Sequence, residues 1–585
     1  MATTNGLNGV NTSSPNAFKT FSLGSFSIDE DRPMKVVVIG AGFSGIAAGI
    51  RFPQRVKNLD LTIYEKNAGV GGTWYSNRYP GLACDLPSHT YQFSFEDKTD
   101  WSAFYAPGPE IRGYLEHVVD KYKLMRYIKL QHELTSARYD ERTGKWHLKI
   151  RRPSGTSTTQ DVHFEEFEDV ADFVLAGTGA LSRWSWPDIP GLTAYKETLV
   201  HSAQWEDVEE LEGKAVGIIG VGSSAIQLVP ALQPRAGKVF NFVRGKTWLA
   251  TPFASEKLSE LMKRDPKAAN YEFTDEDKER FTDPKYYKEF RHELEAELNS
   301  VHFATIKDSD MQKGARKAFH EAMIERLEVK PWIADHLIPT FPVACRRLTP
   351  GPGYLEALCK DNVDFVADEI RRITPTGIET VNGRHFPLDI LICATGYDTA
   401  FQTPFSVIGR NGLTLNERYT PHPETYLTMC TDGFPNWFQT LGPNSAVGSG
   451  SLLAIIEAEV EYAVAVVRKM QRERIRSVEV KREAVKDFDE YLEAYFPTTV
   501  YSEKCRSWYK MGQEEGRVVG LWPGSCLHAI RAMANPRWED FDYKYLENTK
   551  NRFQWLGDGS TYAEKHMKGD RAFYLTEVDI PAVPE

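Results

Sequence analysis

An α/β fold with two Rossmann-like dinucleotide-binding domains and a helical insertion is predicted from three observations. MKVVVIGAGFSGIAAGI, beginning at Met34, and KAVGIIGVGSSAIQLVP, beginning at Lys214, each pass from a β-branched stretch through glycines into an Ala- and Ile-rich helix. Neither stretch alternates apolar with polar residues, as expected of a parallel strand buried on both faces. Between Ser255 and about Ile338 the sequence turns charged and helical, as in YYKEFRHELEAELNS. LDILICATGY, from Leu388 to Tyr397, carries a third buried-strand signature. RRPSGTSTTQD, from Arg151 to Asp161, reads as a polar loop between two further strands.

Length and composition bound the rest. A chain of 585 residues with 41% hydrophobic residues can bury more than one core. A formal net charge of -11 lacks the basic footprint of a nucleic-acid binder. Seven cysteines are scattered without a CxxC pair, which predicts reduced thiols, a cytoplasmic location, no disulfide framework and no metal site. The first 33 residues, polar and rich in Asn, Ser and Thr, lack the basic start and apolar run of a secretion signal and are expected to form a disordered tail. No apolar run is long enough to span a membrane. In SLLAIIEAEVEYAVAVV, the residues Leu452, Ile455, Ile456, Val460, Ala463 and Val467 recur at helical spacing among Glu457, Glu459 and Glu461, which predicts a core-facing helix.

Each glycine turn carries chemistry. Gly40, Gly42 and Gly45 form GxGxxG directly after a strand, where glycines permit a tight turn, close backbone approach to a pyrophosphate and close helix packing. The helix N-terminus adds N–H groups and a favourable dipole. Glu65 ends the next strand about 20 residues on, where a carboxylate accepts bonds from ribose hydroxyls. The second unit has Gly220, Gly222 and Ala225, with Ser223, Ser224 and Gln227 at the helix start as further expected NADP contacts. Its next strand ends in Arg244, with Gly245 and Lys246 behind it, in place of an acid. A positive group there pairs with the 2′-phosphate of NADP, which an acid would repel.

Two dinucleotide sites in one chain suggest FAD and a nicotinamide reductant, and GGTWYSNRYPGLACD makes that specific. The stretch resembles the motif A/G-G-x-W-x-x-x-x-F/Y-P-G/M-x-x-x-D of type I Baeyer–Villiger monooxygenases. Every defined position matches, through Gly71, Gly72, Trp74, Tyr79, Pro80, Gly81 and Asp85. SHTYQFSFEDKTDW, ATGY, FPNWFQTLGPNSAVGSGS, CRSWYK and GRVVGLWPGS are also similar to that family, so the resemblance runs from about Val36 to Trp555. It implies FAD contacts at Thr73, Trp74, Asp85 and Tyr91, an NADP contact at Cys84, and use of NADPH and O2 on a small organic substrate through a flavin C4a-peroxide. VACRRLTPGPGY resembles the family's basic pair, which implies Arg347 as the active-site arginine tuned by Asp85, and Arg346 at the 2′-phosphate. The polar tail resembles fungal members that act on polyketides or terpenoids in secondary metabolism. These assignments divide the chain into a tail (1–33), a discontinuous FAD domain (34–205 and 385–585) and an NADP domain (206–384) with its insertion at about 255–338.

YKETLVHSAQWE departs from the family's linker fingerprint F-x-G-x-x-x-H-x-x-x-W-P/D. His201 and Trp205 are kept, but Tyr195, Glu197 and Glu206 replace the Phe, the inner Gly and the final residue. The family linker couples hydride delivery to oxygenation through its His, so His201 has both a catalytic and a structural reading. Trp205 favours attack on a ketone over the N- or S-oxidation performed by related flavin monooxygenases. A pyridine-nucleotide disulfide reductase would need a redox cysteine pair, and a binding protein that kept the fold would consume no NADPH.

Overall fold

The structure, a computed structural model, describes residues 21–154, 163–205, 208, 210–250, 254–263, 270–547 and 551–575. Two five-stranded parallel sheets organise it. The first runs in the order Trp437–Gln439, Phe173–Ala176, Met34–Ile39, Leu59–Glu65, Ile128–Leu130. Successive side chains of a strand face opposite ways. Val36 and Val38 accordingly enter a core shared with helices Phe43–Arg55 and Leu452–Arg472, while Val37 and Ile39 enter another. That second core is closed by Leu134, Trp146, Leu148 and Ile150 of a mixed four-stranded sheet. Two apolar faces explain the unbroken run MKVVVI.

The second sheet repeats the scheme in the order Val363–Val366, Lys238–Phe242, Ala215–Ile219, Ile390–Cys393, Thr198–His201. Its outer face packs Leu391 and Cys393 on Ile373, Ile378 and Phe386 of a three-stranded sheet. The boundaries drawn after 205 and before 385 therefore cut through this sheet, which begins at Thr198 and ends at Cys393. Ile390–Cys393 lies between its neighbours, with Cys393 opposite both His201 and Ile219. A glycine motif marks only the strand it follows; the partners of a short apolar strand are a matter of register.

The insertion supplies helices Ser255–Met262, Asp275–Phe281, Pro284–Ser300, Asp310–Arg326 and Trp332–Leu337. Asp283 caps the third by accepting from the Lys285 amide at 2.9 Å, and Ser309 caps the fourth at 3.0 Å from the Gln312 amide, each cap contributing about 1 kcal/mol. The insertion docks on the first unit around His89, whose Nδ1 lies 3.0 Å from the Tyr287 hydroxyl. Phe273, Phe281 and Phe290 surround the imidazole. Burial, then the charges of Arg291 and Lys98, push His89 down to about 3, so this anchor stays neutral.

Helix Leu452–Arg472 buries Ile455, Ile456, Val460, Ala463 and Val467, with Leu452 half-buried. Each large aliphatic side chain so buried contributes about 1.5–3 kcal/mol. Among the described residues no helix is long and apolar enough to cross a membrane.

Two expectations are corrected. Residues 1–20 of the expected tail lie outside the described residues, but the stretch before Met34 is held. The Ile28 amide donates to Ser560 O at 3.0 Å, Arg32 Nη2 to Ile475 O at 2.7 Å, and Arg474 sits 3.9 Å over the Phe26 ring. Polar composition concealed partners that come from the far end of the chain. Cys345 and Cys505 form a disulfide, with Cα atoms 6.4 Å apart across 160 residues of sequence. Cys84, Cys359, Cys393, Cys430 and Cys526 are free. No spacing rule flags a pair so distant; only the fold brings the two together.

Candidate active site and cofactor cradles

The first glycine turn is shaped by contact. A Cβ on Gly45 would stand 1.9 Å from Gly40 O, so the helix can lie this close to the strand only with glycine there. Helix Phe43–Arg55 starts at Gly42 without a side-chain cap, which leaves its first N–H groups for a ligand. Glu65 is buried beside this turn, accepting from the Ala41 amide through Oε2 and the Asn67 amide through Oε1, each at 2.8 Å. Each carboxylate oxygen keeps a lone pair for a further donor. An uncapped helix start beside a buried carboxylate fits the diphosphate and ribose of FAD.

Trp74 lies in the short helix Thr73–Ser76, with Thr73 exposed at its start. The buried indole meets Tyr91 edge-on at 5.4 Å, and Tyr91 meets Phe43 of the glycine-turn helix at 5.7 Å. The Tyr397 hydroxyl donates to Asn77 Oδ1 at 2.7 Å, so ATGY reaches this same corner.

The second glycine turn opens helix Ser223–Leu232, again without a side-chain cap. Ser223 Oγ sits 2.9 Å from Thr349 Oγ1, and Ser224 is half-buried beside it. Gln227 ties the two units together from the start of this helix. Its Oε1 accepts from Tyr79 OH at 2.8 Å and its Nε2 donates to Ala83 O at 2.9 Å. Beside it Gly81 has φ +80°, and a Cβ there would stand 2.6 Å from Gln227 O. The Tyr79–Gly81 stretch of the fingerprint is thus a docking surface for the second unit's helix. The buried Cys84 thiol donates to Leu86 O at 3.1 Å.

Arg244 is exposed just beyond strand Lys238–Phe242. Arg346 Nη1 donates to Lys246 O at 2.8 Å and passes close to Gly245. Arg346 thus reaches the turn that carries Arg244 and Gly245 just past this strand, a cationic stretch suited to the 2′-phosphate.

Arg347 and Asp85 are paired bidentately, Nε to Oδ2 at 3.0 Å and Nη2 to Oδ1 at 2.8 Å. The Arg347 side chain is 38% solvent-accessible and that of Asp85 20%, so the pair can be reached by a ligand. The Asp85 charge outweighs burial and raises the guanidinium above its usual range. Tyr91 lies close to both, and Tyr509 approaches from the C-terminal region, its phenol pushed up to about 12 mainly by burial. Tyr509 sits within the CRSWYK similarity, but nothing local to that stretch points to Arg347.

His201 ends strand Thr198–His201. The Ala203 amide donates to its Nδ1 at 3.1 Å, which leaves the proton on Nε2, 3.2 Å from Thr395 Oγ1. Trp184 stacks on the ring at 4.3 Å and burial pushes the imidazole down to about 4. His201 ends the strand by which the chain enters the second sheet after Ala176, and Thr395 lies just past Cys393, where the chain leaves it, so the bond between them joins the entry to the exit. Glu197 is exposed and is not among the positive-φ residues, so its replacement of glycine leaves the linker unstrained. Trp205 is half-buried against the main core, and Glu206 lies outside the described residues.

Two further groups were not foreseen. Glu459 is wholly buried and accepts from Thr428 Oγ1 and the Leu441 amide at 2.9 Å each. Helical periodicity marked its neighbours as core and gave no reason to bury an acid. His422, Glu424 and Asp489 converge as metal ligands would. Arg517 already pairs with His422 and Asp489, and Arg418 and Arg482 with Glu424, so the cluster reads as an ion-pair network.

Comparison with known proteins adds the family. Residues 38–107 match the NAD(P)-binding Rossmann-like domain family. The FAD-binding monooxygenase tazF of Aspergillus terreus is 40% identical over 549 residues, covering 93% of this chain and 95% of its own length. The chain belongs to the FAD-binding monooxygenases. A Baeyer–Villiger monooxygenase of Pseudomonas aeruginosa is 34% identical over 499 residues, 84% of this chain and 88% of its own. The crystal structure of cyclohexanone monooxygenase from Rhodococcus sp. Phi1 bound to NADP+ superposes with a TM-score of 0.73 at 28% identity, over 88% of this chain and 100% of that one. The protein is an NADPH-dependent flavin monooxygenase of the Baeyer–Villiger group, which removes the disulfide-reductase and binding-protein readings.

Proposed function

We propose that this monooxygenase inserts one oxygen atom from O2 beside the carbonyl of a small organic ketone, giving an ester or lactone. The balance is ketone, O2, NADPH and a proton going to ester, water and NADP+. The Arg347–Asp85 pair carries the reading. A guanidinium keeps its proton at working pH, so Arg347 stabilises negative charge on a carbonyl oxygen without donating a proton to it. Asp85 holds that charge in one direction through two parallel bonds. Oxidation of nitrogen or sulfur develops no such oxyanion on the substrate and has no use for this fixed cation.

Bound FAD, reduced by NADPH, supplies the electrons and the activated oxygen. Gly40, Gly42, Gly45, Glu65, Trp74 and Tyr91 would hold it, and Gly220, Gly222, Ser223, Arg244 and Arg346 would hold the nicotinamide cofactor. His201, neutral and fixed by Ala203 and Thr395, keeps the chain's entry to the second sheet in register with its exit while both cofactors are bound. Identity with fungal enzymes supports a place in secondary metabolism. The five free cysteines fit the cytoplasm as its compartment, whereas the Cys345–Cys505 disulfide does not.

The test is competition between a cyclic ketone and a thioether with purified enzyme, NADPH and O2, products separated by gas chromatography. Ester or lactone as the main product is expected. Sulfoxide without ester would overturn the reading in favour of heteroatom oxidation.

A further inference from the structure

Cys345 and Cys505 are bonded, and the residue that follows each is an arginine. Arg346 leans on the Lys246 carbonyl, with no described carboxylate in ion-pair distance. Arg506 is exposed, and its Nε donates to Gly512 O at 2.9 Å. No described residue accepts from its Nη atoms. The loop that carries it is built to stay in place. Lys510, itself buried, donates Nζ to both Glu503 O and Glu514 O at 2.6 Å, and the Cys505 amide donates to Glu514 O at 3.2 Å. The disulfide thus ties together the two segments that carry these arginines, with the Cys345 and Cys505 Cα atoms 6.4 Å apart and no counter-ion to either arginine from the described residues. Burial, then the nearness of Arg506, lowers Arg346 from the usual guanidinium range. A dianion between them would be held by charge-assisted bonds from both guanidiniums.

We propose that Arg506 is a third arginine of the NADPH 2′-phosphate site, presented beside Arg346 by the Cys345–Cys505 disulfide. The proposal rests on the reading of Arg244 and Arg346 as residues of that site, and adds a contact from the C-terminal loop. Trp508 and Tyr509 follow on the same loop, and Tyr509 approaches Arg347. One bond therefore sets the loop against both arginines of the pair. Opening it takes two electrons and two protons from a dithiol: the S–S bond breaks, two thiols form, and the dithiol becomes a cyclic disulfide. The loop then keeps its own hydrogen bonds and loses its tether, so NADPH affinity falls.

The experiment is calorimetric titration of the oxidised FAD-loaded enzyme with NADP+ and, separately, NAD+. Arg506→Gln is expected to weaken NADP+ by about tenfold or more, the size of a charge-assisted contact, and to leave NAD+ binding as it was. Arg506→Lys should recover part of the loss. Cys505→Ser should weaken NADP+ in the same direction, and dithiol treatment should reproduce this in the wild type without adding to it in Cys505→Ser. Alkylation and intact-mass measurement report the thiol state in each arm. Equal loss of NADP+ and NAD+ in Arg506→Gln would overturn the assignment in favour of a structural loop. Unchanged NADP+ affinity in Cys505→Ser would overturn the part given to the disulfide. A wild type that does not prefer NADP+ over NAD+ overturns the phosphate site itself, whereas a preference that Arg506→Gln retains overturns Arg506 alone.

Discussion

Arg347 and Asp85 stand 262 residues apart in the sequence and share bonds of 2.8, 2.9 and 3.0 Å in the structure. Each comes from a different nucleotide-binding unit, so the pair exists only when the two units are docked. Charge placement and domain assembly are one event here.

Removing the cation should separate reduction from oxygen transfer. Arg347→Ala is expected to slow NADPH-driven bleaching of the flavin by less than about tenfold and to abolish ester, with O2 appearing as hydrogen peroxide. Asp85→Asn keeps the shape and loses the charge, and should lower ester formation by roughly tenfold to a hundredfold. Stopped-flow absorbance with product analysis measures both. Ester from Arg347→Ala would end the role given to it.

Gly81→Ala tests the docking surface. The new methyl would meet Gln227 O at 2.6 Å and Ala231 Cβ at 2.8 Å, on a backbone with φ +80°. Strain of this kind costs about 1–3 kcal/mol. The variant should melt earlier and give up FAD more readily, read by differential scanning fluorimetry on the flavin. An unchanged midpoint would mean that the helix and the fingerprint do not press together as described.

His201 should report on pH. Its native value of about 4 lies below the unfolded value near 6.5, so the unfolded chain takes the proton first as pH falls. Its contribution to stability is present above about 6.5 and is lost between there and about 4. The drop in melting temperature from pH 7 to pH 5 should be smaller in His201→Asn than in the wild type. Identical slopes would show that the imidazole is not held neutral.

Glu459 carries the opposite sign. Burial raises it to about 7 from the ordinary carboxylate range, so the native state binds its proton more tightly than the unfolded chain. That contribution is full below about 4.5 and is lost as pH rises through about 7. Glu459→Gln, which can still accept from the Leu441 amide and donate to Thr428, should melt later than the wild type at pH 8.5 and gain little at pH 5. A gain at pH 5 as large as that at pH 8.5 would refute the buried, protonated carboxyl.

The two nucleotide-binding units could be read from the chain because they are local. Gly40, Gly42 and Gly45 with Glu65, and Gly220 and Gly222 with Arg244, act within one strand–turn–helix–strand segment, where spacing alone dictates which atoms meet. The motif from Gly71 to Asp85 was legible for the same reason. Other features were not. The tie that Gln227 makes between the units has no local signal, Cys345 and Cys505 are bonded although their spacing predicts thiols, and Glu459 is buried although it interrupts the apolar run. The strands Thr198–His201 and Ile390–Cys393 joined a sheet that the boundaries had cut. All of these depend on pairings between distant segments, for which the chain carries no periodic or spacing signal. Such contacts follow from the register of strands and the docking of whole units, which only the assembled tertiary structure decides.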